Sequence, residues 1–114
     1  MNLEILRSHC LALPFVEERF PFGPEVLVFM INNKMFALVN LVEERLRVNL
    51  KCDPDYAITL RDEHEEIIPG WHMNKKHWIT VYLDGSLKLA LVKELILNSY
   101  DLVKLQIKKT KKQT

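Results

Sequence analysis

The densest set of side chains that could bind a ligand lies between Pro69 and Trp78. The segment reads Pro-Gly-Trp-His-Met-Asn-Lys-Lys-His-Trp. The Pro-Gly pair predicts a loop, and binding groups tend to lie on loops. Lysine ammonium and asparagine amide groups suit phosphate oxygens, and a histidine can add a further donor. The alternative is a structural loop that its two tryptophans anchor to the rest of the domain.

Two stretches of alternating polarity extend this candidate site. Residues 45–51 and 76–83 each place apolar side chains at every second position, as a half-buried strand does. If the apolar sets pack inward, cations, amides and aromatic rings share the outer face, where they could bind a phosphate and stack a base. The predicted nucleic-acid-binding residues are Arg45, Arg47, Asn49, Lys51, Lys75, Lys76 and Trp78. The alternative is an ordinary amphipathic sheet with its charges outward and Trp78 folded under a helix.

Catalytic chemistry has weaker support in the sequence. Cys52 is followed by Asp53, whose charge would raise the thiol pKa and which is better explained as a helix cap. The chain has no GxSxG, P-loop or GxGxxG motif and holds three glycines in all. These observations favour a non-catalytic binding protein without a cofactor.

A second hypothesis is a small-ligand pocket built from His72, Asn74, His77 and Cys52 in an interaction protein or a small enzyme. A metal site is not expected there, because the two histidines lie five positions apart and the lysines between them would repel a cation.

The elements that must position these residues alternate between helical and extended periodicity. Asn2, Asp53 and Ser86 are predicted to cap helices, and Asn32-Asn33 to form a two-residue hairpin turn. The predicted helices cover residues 2–13, 54–65 and 86–105, the strands 18–20, 26–31, 34–39, 46–50 and 78–83, and a loop 67–76. The fold class is therefore α+β, in the order α-β-β-β-β-α-β-α, with the terminal helices packed on one face of a largely antiparallel sheet.

Length and charge set the remaining expectations. The 114 residues are predicted to form one domain over residues 1–107, followed by a basic flexible tail, residues 108–114. The tail holds four lysines, and the rest of the chain carries 12 basic and 15 acidic residues, so a basic site must be local. The N-terminus does not resemble a signal peptide, no run is long enough to cross a membrane, and the two cysteines have no ligand spacing. We expect a cytoplasmic monomer or weak dimer.

Five strings of residues also carry a family resemblance. They are Cys10-Leu-Ala-Leu-Pro14, Glu17-Glu-Arg-Phe-Pro-Phe-Gly23, Lys34-Met-Phe-Ala-Leu38, Val48-Asn-Leu-Lys-Cys-Asp-Pro54 and the Pro69 to Trp78 segment. Together they resemble the MmcQ/YjbR family across all of the chain except its lysine-rich tail. The resemblance implies a bacterial protein with a CyaY-like fold, which is also compared with a double-wing DNA-binding domain, and it implies DNA as the partner. The chain departs from the family pattern at Phe15, where glycine is common, and at Ile79, where asparagine is common.

Overall fold

The protein is an α+β sandwich of one sheet and one layer of helices. The computed structural model describes the backbone of residues 1–113 and the side chains of residues 1–107. In chain order its elements are α1 (Leu3–Leu11), β1 (Val16–Arg19), β2 (Val26–Ile31), β3 (Lys34–Asn40), β4 (Arg47–Lys51), α2 (Pro54–Glu63), β5 (Ile67–Pro69), β6 (Trp78–Tyr82) and α3 (Leu89–Gln113). None of the helices so described is long and apolar enough to cross a membrane.

The sheet has six antiparallel strands in the order β1-β2-β3-β4-β6-β5. The β2–β3 hairpin turns at Asn32 and Asn33, whose φ angles are 48° and 64°. Two consecutive positive φ angles match the right-handed twist of the flanking strands, and asparagine tolerates them better than most residues do. The predicted hairpin is confirmed. Phe15, at the turn between α1 and β1, also has a positive φ of 64°, at a position where the family resemblance expects glycine.

The helices cover one face of the sheet and enclose the hydrophobic core. The predicted caps of the first two helices are confirmed: Asn2 Oδ1 accepts from Ile5 N–H, and Asp53 Oδ1 accepts from Asp55 N–H. Alternate residues of β4 and β6 face this layer, as predicted, so Val48, Leu50, Ile79 and Val81 are buried. Their helix partners in the core are Leu6, Cys10, Ala57, Leu60, Val92, Leu95, Ile96, Tyr100 and Val103.

The opposite face of the sheet carries none of the three helices described and is called the helix-free face below. By strand register it presents Val26, Val28, Leu38, Asn40, Arg47, Asn49, Lys51, Trp78, Thr80 and Tyr82. This is the face on which the sequence placed the candidate binding residues. Its centre is less open than predicted, because Thr80 is fully buried there. The chain around Trp71 covers this residue, since Trp71 N–H donates to Thr80 Oγ1 over 2.8 Å.

Three predictions about the elements need correction. The predicted loop 67–76 begins with the strand β5, which pairs with β6 through Ile67, Ile68 and Pro69; proline is tolerated there because β5 is an edge strand. Ser86 does not cap the last helix, which begins at Leu89. Instead its N–H and hydroxyl both donate to Glu66 Oε2, over 3.2 and 2.7 Å. That helix ends at Gln113 rather than near residue 105. The side chains of the predicted flexible tail lie outside the described residues, and that prediction remains a prediction.

Candidate functional site

One end of the helix-free face carries arginines that are already paired with acids. This arginine end consists of Glu43, Arg45, Arg47, Tyr82 and Asp84. The Arg45 guanidinium donates to both Asp84 oxygens, over 2.8 and 3.1 Å, and lies 3.9 Å from the centre of the Tyr82 ring. The side-chain hydrogen bond from Arg45 is the main reason that the pKa of Asp84 lies below its usual value.

The side chain of Arg47 is more buried than that of Arg45. Its side chain is only 12% exposed, and Nη2 donates to Oε1 of Glu43, four residues earlier in the chain. The guanidinium also lies 5.2 Å from the centre of the Trp71 ring, in range of a cation–π interaction. Arg45 and Arg47 were both predicted to bind phosphate. In this structure each of them is charge-compensated by a neighbouring carboxylate.

The other end of the helix-free face carries lysines and an aromatic ring. This lysine end consists of Lys51, Lys75 and Trp78 on the face, together with Lys34, which lies opposite the core residue Ile31 in the β2–β3 ladder and acts on Lys51 through its charge. Lys51 and Trp78 are directly opposed in the β4–β6 ladder. Burial, and secondarily the charge of Lys34, lower the pKa of Lys51. Within residues 1–107, none of these three lysines forms an ion pair.

Two local contacts fix the lysine end in place. The Lys51 N–H donates to Ser99 Oγ over 2.8 Å, and that hydroxyl donates to Phe36 O over 2.6 Å, so α3 anchors the end of β4. Lys75 Nζ donates to Gly70 O over 3.1 Å. Gly70 in turn lies against Trp78, because a Cβ added to Gly70 would lie 2.7 Å from Trp78 Cβ. Lys75 is therefore drawn toward Trp78, and the glycine is required for this close approach.

Asn49, a predicted ligand-binding residue, uses its amide inside the protein. Its Nδ2 donates to Trp71 O over 3.1 Å, and its Oδ1 accepts from Thr80 Oγ1 over 2.6 Å. With the bond from Trp71 N–H to Thr80 Oγ1, both backbone polar groups of Trp71 are satisfied by strand side chains. Asn49 and Thr80 therefore position the loop that carries Trp71, and the indole itself takes no part in that anchoring.

A groove that the sequence did not predict crosses the helix-free face and includes Glu43 and Arg47 of the arginine end. It has a volume of about 280 Å³. Its lining residues are Phe22, Val26, Met35, Leu38, Asn40, Glu43, Arg47, Asn49, Trp71, His72 and Met73. Phe22 and Trp71 are 60% and 48% exposed, which is high for aromatic side chains. These residues come from β2, β3, β4 and three of the loops between the strands. One feature of the sequence pointed to the groove: Phe22 and Trp71 both lie in the strings that carry the family resemblance.

The residues of the predicted pocket, His72, Asn74, His77 and Cys52, do not line the groove together. Of the four, only His72 lines the groove. Cys52 continues the inward parity of β4 and lies in the core, where burial is the main cause that raises its pKa to about 11. Asn74 Oδ1 accepts from the N–H groups of Lys76 and His77, over 2.9 and 3.2 Å, and so builds the turn before β6. The side chains of Lys76 and His77 are exposed.

No group of three or more His, Cys, Asp or Glu side chains that could hold a metal ion occurs in the described part of the chain. The thiol of Cys10 is also buried, and burial raises its pKa to about 12. Both cysteines are therefore poor nucleophiles, because the reactive form is the thiolate. What the helix-free face offers is cations, aromatic rings and amides.

The fold and this face define a small α+β protein with one open, partly aromatic sheet surface. Comparison with known proteins gives its family. The chain belongs to the YjbR family, which matches residues 11–102. It is similar to protein YbdF of Escherichia coli O157:H7, with 43% identity over 100 residues that cover 88% of this chain and 82% of the relative. Its identity to protein YjbR of Escherichia coli K12 is 37% over 100 residues, which cover 88% and 85%.

Two solved structures have the same fold. The crystal structure of the Deinococcus radiodurans protein DR2400, a DUF419 domain, superposes with a TM-score of 0.85 at 44% identity and covers 90% of this chain and 78% of that one. A Pseudomonas syringae protein superposes with a TM-score of 0.79 at 29% identity, covering 90% and 98%. The predicted family and fold class are confirmed. YbdF and YjbR are both named as uncharacterized proteins, so these likenesses give a family and a fold without an activity.

Proposed function

We propose that this protein is a non-catalytic module that binds single-stranded nucleic acid on its helix-free face. The observation that carries the proposal is the lysine end, where Lys51 and Lys75 flank Trp78 and Lys34 adds a charge beside Lys51, without a carboxylate partner among the described residues. Lysines beside an aromatic ring are the two components that single-strand binding surfaces combine: cations for phosphates and a flat surface for bases.

The charge distribution favours a single strand over a duplex. The chain without its tail lysines carries 12 basic and 15 acidic residues, so it has no broad positive field to attract a phosphate-dense double helix. The paired arginines reduce the positive potential further at their own end. A single strand needs fewer phosphate contacts, and its exposed bases can stack on Trp78, Trp71 and Phe22.

A binding role also fits the chemistry of the two cysteines. Cys10 and Cys52 are buried thiols with raised pKa values of about 12 and about 11, and neither is available as a nucleophile. The groove supports the alternative that the protein binds a small ligand. Free nucleotides are the small ligands whose binding should be compared with that of oligonucleotides.

The test is a salt titration on a protein without tail charge. The variant Lys108→Gln, Lys109→Gln, Lys111→Gln and Lys112→Gln, called the tail-neutral variant below, removes the four cations that would bind any polyanion. Fluorescence anisotropy with oligo(dT) of about 15 nucleotides should show binding with a log–log salt slope of about −2, as expected for three phosphate contacts. A duplex of the same length should bind about tenfold more weakly. Loss of all single-strand binding in the tail-neutral variant would refute the proposal.

A further inference from the structure

The groove on the helix-free face has the size and lining of a site for one flat ring. Its volume of about 280 Å³ lies just below the range of pockets that hold drug-sized ligands, which begins at roughly 300 Å³. Val26, Met35 and Leu38 give it an apolar floor, while Phe22 and Trp71 stand at its rim with much of their rings exposed. Exposed aromatic surface beside an apolar floor favours stacking of a planar ligand.

The Trp71 wall is held in position without help from a ligand. Strand side chains satisfy both of its backbone polar groups, as described above. The Arg47 guanidinium lies 5.2 Å from the centre of its ring, and the His72 ring makes an edge contact with it, with ring centres 5.0 Å apart. A wall that is ordered before binding lowers the entropic cost of taking up a ligand.

The polar end of the groove offers acceptors and donors side by side. Asn40 lines the groove, and its Oδ1 accepts from Val42 N–H over 3.0 Å. Its Nδ2 is therefore the atom left to donate to a ligand. Glu43 gives one carboxylate oxygen to Arg47 and keeps acceptor capacity on both oxygens, since each has two lone pairs. A ring edge that fits must present N–H donors to Glu43 and a carbonyl oxygen to Asn40.

We propose that this groove binds a single guanine-like base, stacked against Trp71 and Phe22, with its adjacent ring N–H and amino group donating to Glu43 and its carbonyl accepting from Asn40. Adenine has no ring N–H on that edge, and hypoxanthine lacks the amino group. The base has two candidate sources. One is a nucleotide within a strand, and in that case the inference rests on the proposed function and deepens it. The other source is a free guanine nucleotide.

The experiment compares probes that differ at the base. Binding to the full-length protein is followed by anisotropy or tryptophan fluorescence with GMP, IMP and AMP, and with oligo(dT) carrying one central guanine, hypoxanthine or adenine. We expect the guanine probe of at least one series to bind about tenfold more tightly than its adenine counterpart, with hypoxanthine between them. Binding of GMP alone identifies a free nucleotide as the ligand, and a preference seen only in oligonucleotides identifies a strand.

Three variants test the geometry. Glu43→Gln should reduce the guanine preference to about twofold or less, because one of the two acceptor oxygens becomes an NH2 donor that faces an N–H donor of the base. Phe22→Ala should weaken the guanine probe by about 5- to 150-fold, the loss expected for one stacking contact. Phe15→Ala is the matched control, since Phe15 is 87% exposed and does not line the groove; it should leave affinity unchanged.

The outcomes separate this inference from the proposed function. If every oligonucleotide binds equally well whatever its central base, and Phe22→Ala binds like Phe15→Ala, the guanine site is wrong while single-strand binding stands. If GMP binds with the expected preference but no oligonucleotide binds, the groove is a nucleotide site and the proposed function is wrong. Thermal melting of Phe22→Ala and Glu43→Gln checks that both variants are folded.

Discussion

The two ends of the helix-free face both carry basic side chains but differ in whether neighbouring carboxylates neutralise them. At the arginine end, Arg45 is clamped by Asp84 and Arg47 by Glu43. At the lysine end, Lys34 and Lys51 lie close enough for one to lower the pKa of the other, and neither has an acidic partner within the described residues. An anion would gain little from the first end, because it must compete with carboxylates already in place. At the second end it would relieve a repulsion.

The difference shows that a count of basic residues on a strand face does not measure its capacity to bind phosphate. Exposed ion pairs contribute little to stability, yet they cancel most of the field that a passing phosphate would feel. At the arginine end, Arg47 lies beside the Trp71 ring, and Glu43 and Arg47 line the groove, so this end helps to shape the groove. The lysine end remains available for a ligand.

The strongest way to break this comparison is to remove the lysine end. Lys34→Gln, Lys51→Gln and Lys75→Gln, made together in the tail-neutral variant, should weaken oligo(dT) binding about 100-fold near 0.1 M salt and flatten the salt slope by about two units. The matched control is Arg45→Gln with Asp84→Asn, which removes a whole ion pair without changing net charge. Equal losses in the two variants would mean that the ends do not differ.

A smaller effect of opposite sign should follow from releasing an arginine. Asp84→Asn removes the carboxylate that holds Arg45 and leaves the guanidinium free beside Tyr82. Affinity for oligo(dT) should then rise by up to about fivefold, with a slope steeper by about 0.7, the contribution of one more phosphate contact. Anisotropy in the tail-neutral background measures both quantities. A fall in affinity would show that pairing is not what keeps Arg45 out of binding.

The smallest effect should appear as a dependence on pH. Burial and Lys34 lower the pKa of Lys51 from its ordinary value of 10.5. The ammonium is present below the lowered pKa and is lost as pH rises through it. Binding should therefore weaken about twofold in the alkaline range below pH 10.5, and Lys51→Gln should lack this step. The free energy of unfolding should fall over the same range, because the folded chain keeps the protons of the buried thiols Cys10 and Cys52, and this outweighs the one lowered pKa of Lys51. An unchanged profile in Lys51→Gln would contradict this assignment.

Sequence periodicity was enough to predict the faces of the central strands. The alternation in β4 and β6 placed Val48 and Val81 inward and Lys51 and Trp78 on the opposite face, because strand parity leaves no intermediate choice. The hairpin at Asn32-Asn33 and the first two helix caps followed from local chemistry alone. These features depend on residues that are near neighbours in the chain.

What the sequence did not reveal depends on contacts between distant segments. Arg45 and Asp84 are 39 positions apart, and no local pattern pairs them. The burial of Thr80 follows from a loop that folds back over the sheet, and strand parity alone predicted an exposed side chain. The groove combines Phe22 with Trp71, residues that the topology alone brings to one face.

The most direct test of the account is a backbone NMR titration of the full-length protein with oligo(dT). The chain has 114 residues, a size at which each backbone amide can be followed. The account predicts that the amide signals of Lys34, Lys51, Lys75 and Trp78 shift on binding, together with those of the groove residues Trp71 and Leu38, while the signals of Arg45 and Asp84 stay in place. Shifts confined to residues 108–114 or to the arginine end would contradict it.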